Sequence, residues 1–83
     1  MRNKEQAIWF SADTQEQAWY LALFNLSDQT RNINVTPQEL DLDTFSGLAW
    51  EELWTGEYRE GYNDSFDCDV SSHGARLYKI SKL

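Results

Sequence analysis

The nine residues Ala18–Leu26, AWYLALFNL, carry no charge, and apolar side chains occupy both of their alternating positions. Successive side chains of a β-strand point to opposite faces, so a half-wet strand alternates apolar with polar. Here Trp19, Leu21 and Leu23 share one face, while Tyr20, Ala22 and Phe24 share the other. Such a strand needs cover on both sides. A chain of 83 residues has little to spare, because at this size only about 60–70% of the unfolded surface is hidden on folding. The polar turn SDQT follows, and then RNINV at 31–35, a shorter and more polar strand suited to a sheet edge.

Short apolar runs recur between turn signals along the rest of the chain. AIWF at 7–10 precedes the polar loop SADTQEQ, and LAWEELW at 48–54 lies between Gly47 and Gly56. A helix is the rival reading of that segment, but the two glycines leave room for only about two turns, and the context favours a strand. SFDCDV at 65–70 alternates cleanly, with Phe66, Cys68 and Val70 inward and Asp67 and Asp69 outward. After the turn SSHG, ARLYKI at 75–80 closes the set. TPQEL places Thr36 as a helix cap, Pro37 at the first helical position and Glu39 three beyond the cap, which predicts a short helical corner over 37–41. The expectation is a single all-β domain over 1–83, an antiparallel Greek-key β-sandwich of about six to eight strands around an aromatic core. Residues 1–5 are expected to form a flexible tail.

Apolar residues at 41%, twelve of the chain's residues being aromatic, supply enough bulk for that core. Fourteen acids against seven bases argue against nucleic acid and against an anionic membrane surface as partners, since both need clustered Lys and Arg. No apolar run reaches the length of a membrane span, and MRNKEQ lacks the apolar core of a signal peptide. A chain complete as given would be expected in the cytoplasm.

Candidate chemistry is thin. Asp67 and Asp69 lie near the spacing of a glycosidase carboxylate pair, but an outward strand face without a cleft desolvates no substrate and tunes neither pKa. DLDTFSGLAWEE, from Asp41, aligns Asp43 and Glu52 with calcium-loop positions, yet Phe45 occupies the fifth position and Gly47 falls seventh. One histidine, His73, and one cysteine, Cys68, are too few for an ordinary zinc site. Ser71 or Ser72 beside His73 before a glycine reads as a turn. Cys68 shares strand parity with Phe66 and Val70, so it reads as a buried thiol. Sequons at Asn25, Asn34 and Asn63 are short enough to arise by chance. No catalytic residue, cofactor or metal is expected. The remaining candidates are aromatic: Tyr58 and Tyr62, in the glycine-bounded loop GEYREGYN, offer stacking surfaces for a sugar ring.

Three segments, YLALFNLSDQTRNINV, LAWEELWTGEY and VSSHGARLYKI, resemble the C-terminal β-sandwich domain of α-galactosidases (melibiases) and related retaining glycosidases. The pieces that carry the resemblance are Ala22–Asn25, Arg31–Val35, Leu40–Leu42, Glu52–Trp54 and His73–Ile80, in matching order across residues 7 to 81. Glu52 stands where the family usually has aspartate, ADTQEQAWY replaces a commoner glycine-containing hairpin, and GEYREGYND differs in length from many relatives. The resemblance implies a non-catalytic accessory domain, since in such enzymes a preceding (β/α)8 barrel carries both catalytic aspartates and nothing here matches those motifs. It also implies a partner for the second face of the long strand. Leu21 and Leu23, with Trp19, would pack on the second sheet, and Tyr20, Ala22 and Phe24 would dock on the barrel. From the sequence alone the two faces are interchangeable. The alternative function is a carbohydrate-binding module using the exposed aromatics of the 56–63 loop, Tyr58 and Tyr62.

Overall fold

A computed structural model describes residues 5–15 and 17–83. The tail expected at 1–5 lies outside them except for Glu5, whose carboxylate pairs with Arg31 at 2.7 Å. Among the described residues there are seven strands: β1 (Gln6–Asp13), β2 (Ala18–Asn25), β3 (Arg31–Val35), β4 (Leu48–Glu52), β5 (Tyr58–Glu60), β6 (Phe66–Val70) and β7 (Ala75–Lys82). They form two antiparallel sheets, a five-stranded one in the order β1-β2-β7-β4-β5 and a two-stranded one pairing β3 with β6. The all-β sandwich read from the sequence is the observed fold.

The sheets meet through alternate residues. Leu21 and Leu23 of β2, Trp50 of β4 and Tyr78 and Ile80 of β7 face Ile33 and Val35 of β3 and Phe66, Cys68 and Val70 of β6, all of them buried. Trp50 is the keystone. Its ring stacks on Phe66 of the opposite sheet at 4.2 Å and 5°, and Phe45, Tyr62 and Tyr78 meet it edge-on. Each such aromatic pair adds about 0.5–1.5 kcal/mol beyond the area it buries. The Trp50 Nε1–H is buried with no partner among the described residues.

Two polar devices turn the chain between sheets. At the end of β2, Asn25 is buried. Its Nδ2 donates to Gln29 O (2.7 Å) and Val70 O (2.8 Å), and its Oδ1 accepts from the Ser27 N–H and hydroxyl (2.9 and 2.7 Å). SDQT therefore carries the chain from one sheet to the other and is pinned to the β6–β7 turn. There the Ser72 hydroxyl donates to Ser27 O (3.0 Å), and His73 Nε2 lies 2.9 Å from Asp28 Oδ1. Gly74 completes that turn, since a Cβ would lie 2.5 Å from Ser71 Oγ and 2.9 Å from Ser71 O.

The second device is Glu52. The run read as a strand to Trp54 ends at Glu52, whose buried carboxylate accepts the N–H groups of Trp54 (3.1 Å) and Thr55 (2.8 Å) and so hooks the chain into β5. Burial pushes its pKa up. Hydrogen bonds from Thr55, Trp54 and Leu77 outweigh that and leave it below the ordinary value of 4.5.

Other boundaries also moved. β1 continues through Ser11–Asp13, read from sequence as loop, because these residues pair with Tyr20, Trp19 and Ala18. Part of the segment read as an aromatic loop, Tyr58–Glu60, is β5, paired with Ala49–Glu51 of β4. The helical corner is a single 3-10 turn, Gln38–Leu40, capped at Pro37 and not at Thr36. Glu39 Oε1 accepts both the N–H and the hydroxyl of Thr36, each at 3.0 Å, so only the returning half of a capping box forms.

Candidate functional site

Among the described residues, no second layer lies on the face of the five-stranded sheet turned away from β3 and β6. Cross-strand partners lie on one side of a sheet, so the register sorts this outer face into rows. Ala7, Phe24 and Ala75 form the first row. Trp9, Ala22 and Leu77 form the second, extended by Leu53, whose N–H donates to Leu77 O at 2.8 Å. Neither row contains an ionisable residue. Trp9 is 54% exposed and Phe24 38%. The third row, Ser11–Tyr20–Lys79–Glu51–Tyr58, and the fourth, Asp13–Ala18–Ser81–Ala49–Glu60, are polar and charged apart from their alanines.

The outer face is thus half apolar and half wet, with the boundary running across the strands. Of the three residues read from sequence as a docking face, Ala22 and Phe24 lie in the apolar half and Tyr20 in the polar half. All three point away from the core that holds Leu21 and Leu23, which removes the ambiguity between the two faces of β2.

Tyr58 and Tyr62 are not brought together. Tyr58 stands on the outer face, 56% exposed, and its hydroxyl donates to Glu60 Oε2 at 2.8 Å. That bond, foremost, raises its pKa above the ordinary 10.0. Tyr62 turns the other way and packs edge-on against Trp50 and Phe66, accepting a hydrogen bond from Arg59 Nη1 (3.2 Å). Beside Tyr58 a depression of about 190 Å³ is floored by Ala18 and Ala49 and edged by Glu51, Lys79 and Ser81.

A second cleft, about 290 Å³, opens between the sheets, lined by Arg59, Arg76, Asp67, Asp69 and Asn32, with Cys68 and Tyr78 at its base. The Asn32 amide bridges Asp67 (2.8 Å) and Asp69 (3.2 Å), which relieves the crowding of two acids on one strand face. Cys68 is buried, and burial pushes its thiol up despite the nearby Arg76 and Arg59 guanidiniums, which no local sequence pattern announced. Burial likewise raises the Tyr78 phenol, whose hydroxyl hydrogen-bonds Cys68. Such a thiol is a poor nucleophile. Among the described residues no group of three or more His, Cys, Asp or Glu side chains is placed to hold a metal ion, and no helix is long and apolar enough to cross a membrane.

Two sheets closed over a Trp50–Phe66 stack, with apolar side chains exposed at one end of the larger sheet's outer face, define a β-sandwich. Residues 3–80 match the family model described as the alpha galactosidase C-terminal beta sandwich domain, and the chain belongs to that family. Among solved structures it is similar to α-galactosidase I from Mortierella vinacea, at 17% identity and a TM-score of 0.88, over 99% of this chain and 22% of that one. It is also similar to a GH27 β-L-arabinopyranosidase from Geobacillus stearothermophilus, at 22% identity and a TM-score of 0.87, over 100% of this chain and 19% of that one. The chain therefore spans about a fifth of the length of these structures and corresponds to their sandwich, not to the larger remainder. No curated protein matches it.

Proposed function

We propose that this chain is the non-catalytic C-terminal accessory domain of an α-galactosidase-like glycoside hydrolase, packing against and stabilising a separate catalytic (β/α)8 barrel of the same polypeptide. The observation that carries this reading is the outer face of β2, where Ala22 and Phe24 sit among apolar neighbours with no layer of the described residues over them. An exposed apolar field rimmed by polar residues marks an interface. Burying it contributes about 25 cal/mol per Å², several kcal/mol for a few hundred Å² before association costs, and covalent linkage lowers those costs.

The test compares unfolding of the longer polypeptide with and without this segment. Deletion is expected to lower the unfolding temperature by about 5–10 °C, and the 83-residue chain alone is expected to hydrolyse no chromogenic galactoside. An unchanged unfolding temperature contradicts the reading.

A second reading rests on Tyr58. An exposed ring beside a depression edged by Glu51, Lys79 and Ser81 is the shape of a weak sugar subsite. Galactoside titration would shift the amide signals of 49–51 and 58–60 saturably if the chain is a carbohydrate-binding module. No shift at millimolar sugar removes that reading.

A further inference from the structure

Resting on the accessory-domain reading, we infer that the docking surface is not the whole outer face but its apolar half, the rows Ala7–Phe24–Ala75 and Trp9–Ala22–Leu77–Leu53, and that its occupant is the domain preceding this one in the same polypeptide.

Three observations carry the assignment. The first is the sharp change of chemistry between adjacent rows. Two successive rows hold no ionisable group, and the next holds Lys79 opposite Glu51, in a chain whose acids outnumber its bases fourteen to seven. Charged groups are depleted where a surface is buried and kept where it stays wet.

The second is the position of chain entry. β1 runs from Gln6 to Asp13, so Ala7 and Trp9, the outer residues of the apolar rows, are among the first this domain contributes. Asp13, at the other end of the strand, belongs to the polar half. A body attached before Met1 joins this domain at the end of β1 nearest the apolar half, which raises its effective concentration there. The segment following β7 leaves from Lys82, beside Leu48 at the polar end of the strands.

The third is scale. In the structures that this chain resembles it accounts for 22% and 19% of the length, and the family places it C-terminally, so a large body precedes it there. Trp9 is the anchor this arrangement predicts. It is a large aromatic on the edge strand β1, at the rim of the apolar half, over half exposed and beside Ala22, which leaves room for an inserting side chain. Tyr20, in the third row, falls outside the footprint.

Maleimide labelling tests the footprint in the longer polypeptide and in the 83-residue chain. Three single variants are compared, Leu77→Cys, Trp9→Cys and Tyr58→Cys, with buried Cys68 as the slow background. In the 83-residue chain all three label readily. In the longer polypeptide Leu77→Cys and Trp9→Cys are expected to label at least tenfold more slowly, while Tyr58→Cys keeps its rate. Equal rates for Leu77→Cys in both proteins overturn the footprint, even where deletion of the domain still destabilises the polypeptide. Protection of Tyr58→Cys instead places the interface on the polar half. Concentration-dependent protection of Leu77→Cys within the 83-residue chain makes the occupant a second copy and overturns the assignment equally. Absence of an effect of deletion removes the accessory-domain reading itself, a separate result.

Discussion

Leu23 and Phe24 are neighbours on one strand, similar in hydrophobicity, yet Leu23 has no exposed surface and Phe24 is 38% exposed. Leu23 faces β3 and β6, whereas Phe24 faces a side on which the described residues supply no second layer. The two sides of the five-stranded sheet therefore differ in what this chain lays against them. The inner side is completed by this chain's own short sheet. The outer side is apolar only over its first two rows, the proposed docking surface, and polar over the rest. An apolar residue thus says that a surface is to be covered, and only the register says by what.

The largest expected effect breaks the inner side. Trp50→Ala empties the stack on Phe66 and should cost about 3–5 kcal/mol in denaturant unfolding of the 83-residue chain. Trp50→Phe should cost distinctly less, since it removes the unpartnered Nε1–H along with part of the ring. Next is the corner where β2 leaves the sheet. Asn25→Ala strands the Val70 and Gln29 carbonyls and should cost about 2–3 kcal/mol.

Glu52→Gln replaces a buried carboxylate that accepts two backbone N–H groups and should cost about 1.5–3 kcal/mol at neutral pH. Its pKa is lowered on folding, so the folded state holds the proton less tightly than the unfolded one. The carboxylate's contribution is therefore complete above its ordinary value of 4.5 and is lost as the pH falls through its folded value. Unfolding midpoints against pH should show that loss in the parent chain, and Glu52→Gln should flatten the contribution. The smallest effect is on the outer side, where Phe24→Ser should change the stability of the 83-residue chain by less than about 0.5 kcal/mol.

Legibility of the sequence followed the same division. β6 could be read residue by residue, because Phe66–Val70 alternates strictly and one face is buried. The length of β1 was missed because Ser11–Asp13 is polar and owes its strand geometry to pairing with β2. β5 was missed for a related reason: Tyr58–Glu60 carries two charges in three residues, and its order comes from ladder bonds to β4. The burial of Glu52 was invisible in its type, although its parity with Trp50 pointed inward.

At the candidate site, the sequence singled out Ala22 and Phe24 but could not join them to Trp9, Leu77 and Leu53. Those residues meet only through the registers of β1 and β7 with β2 and through the hook at Glu52. Tyr62 was grouped with Tyr58 because both lie in one glycine-bounded segment; the strand ends at Glu60, and the chain turns at Gly61 (φ 94°) and carries Tyr62 to the other side.

The difference between the two sides reduces to one measurement, the cost of Phe24→Ser and of Leu23→Ala determined by denaturant unfolding in the 83-residue chain and again in the polypeptide that carries the preceding domain. Leu23→Ala should cost about 2–5 kcal/mol in both, whereas Phe24→Ser should be near neutral in the first and cost about 1–3 kcal/mol in the second. Phe24→Ser as harmless in the longer polypeptide as in the 83-residue chain would contradict the claim that the outer apolar rows are covered by another domain.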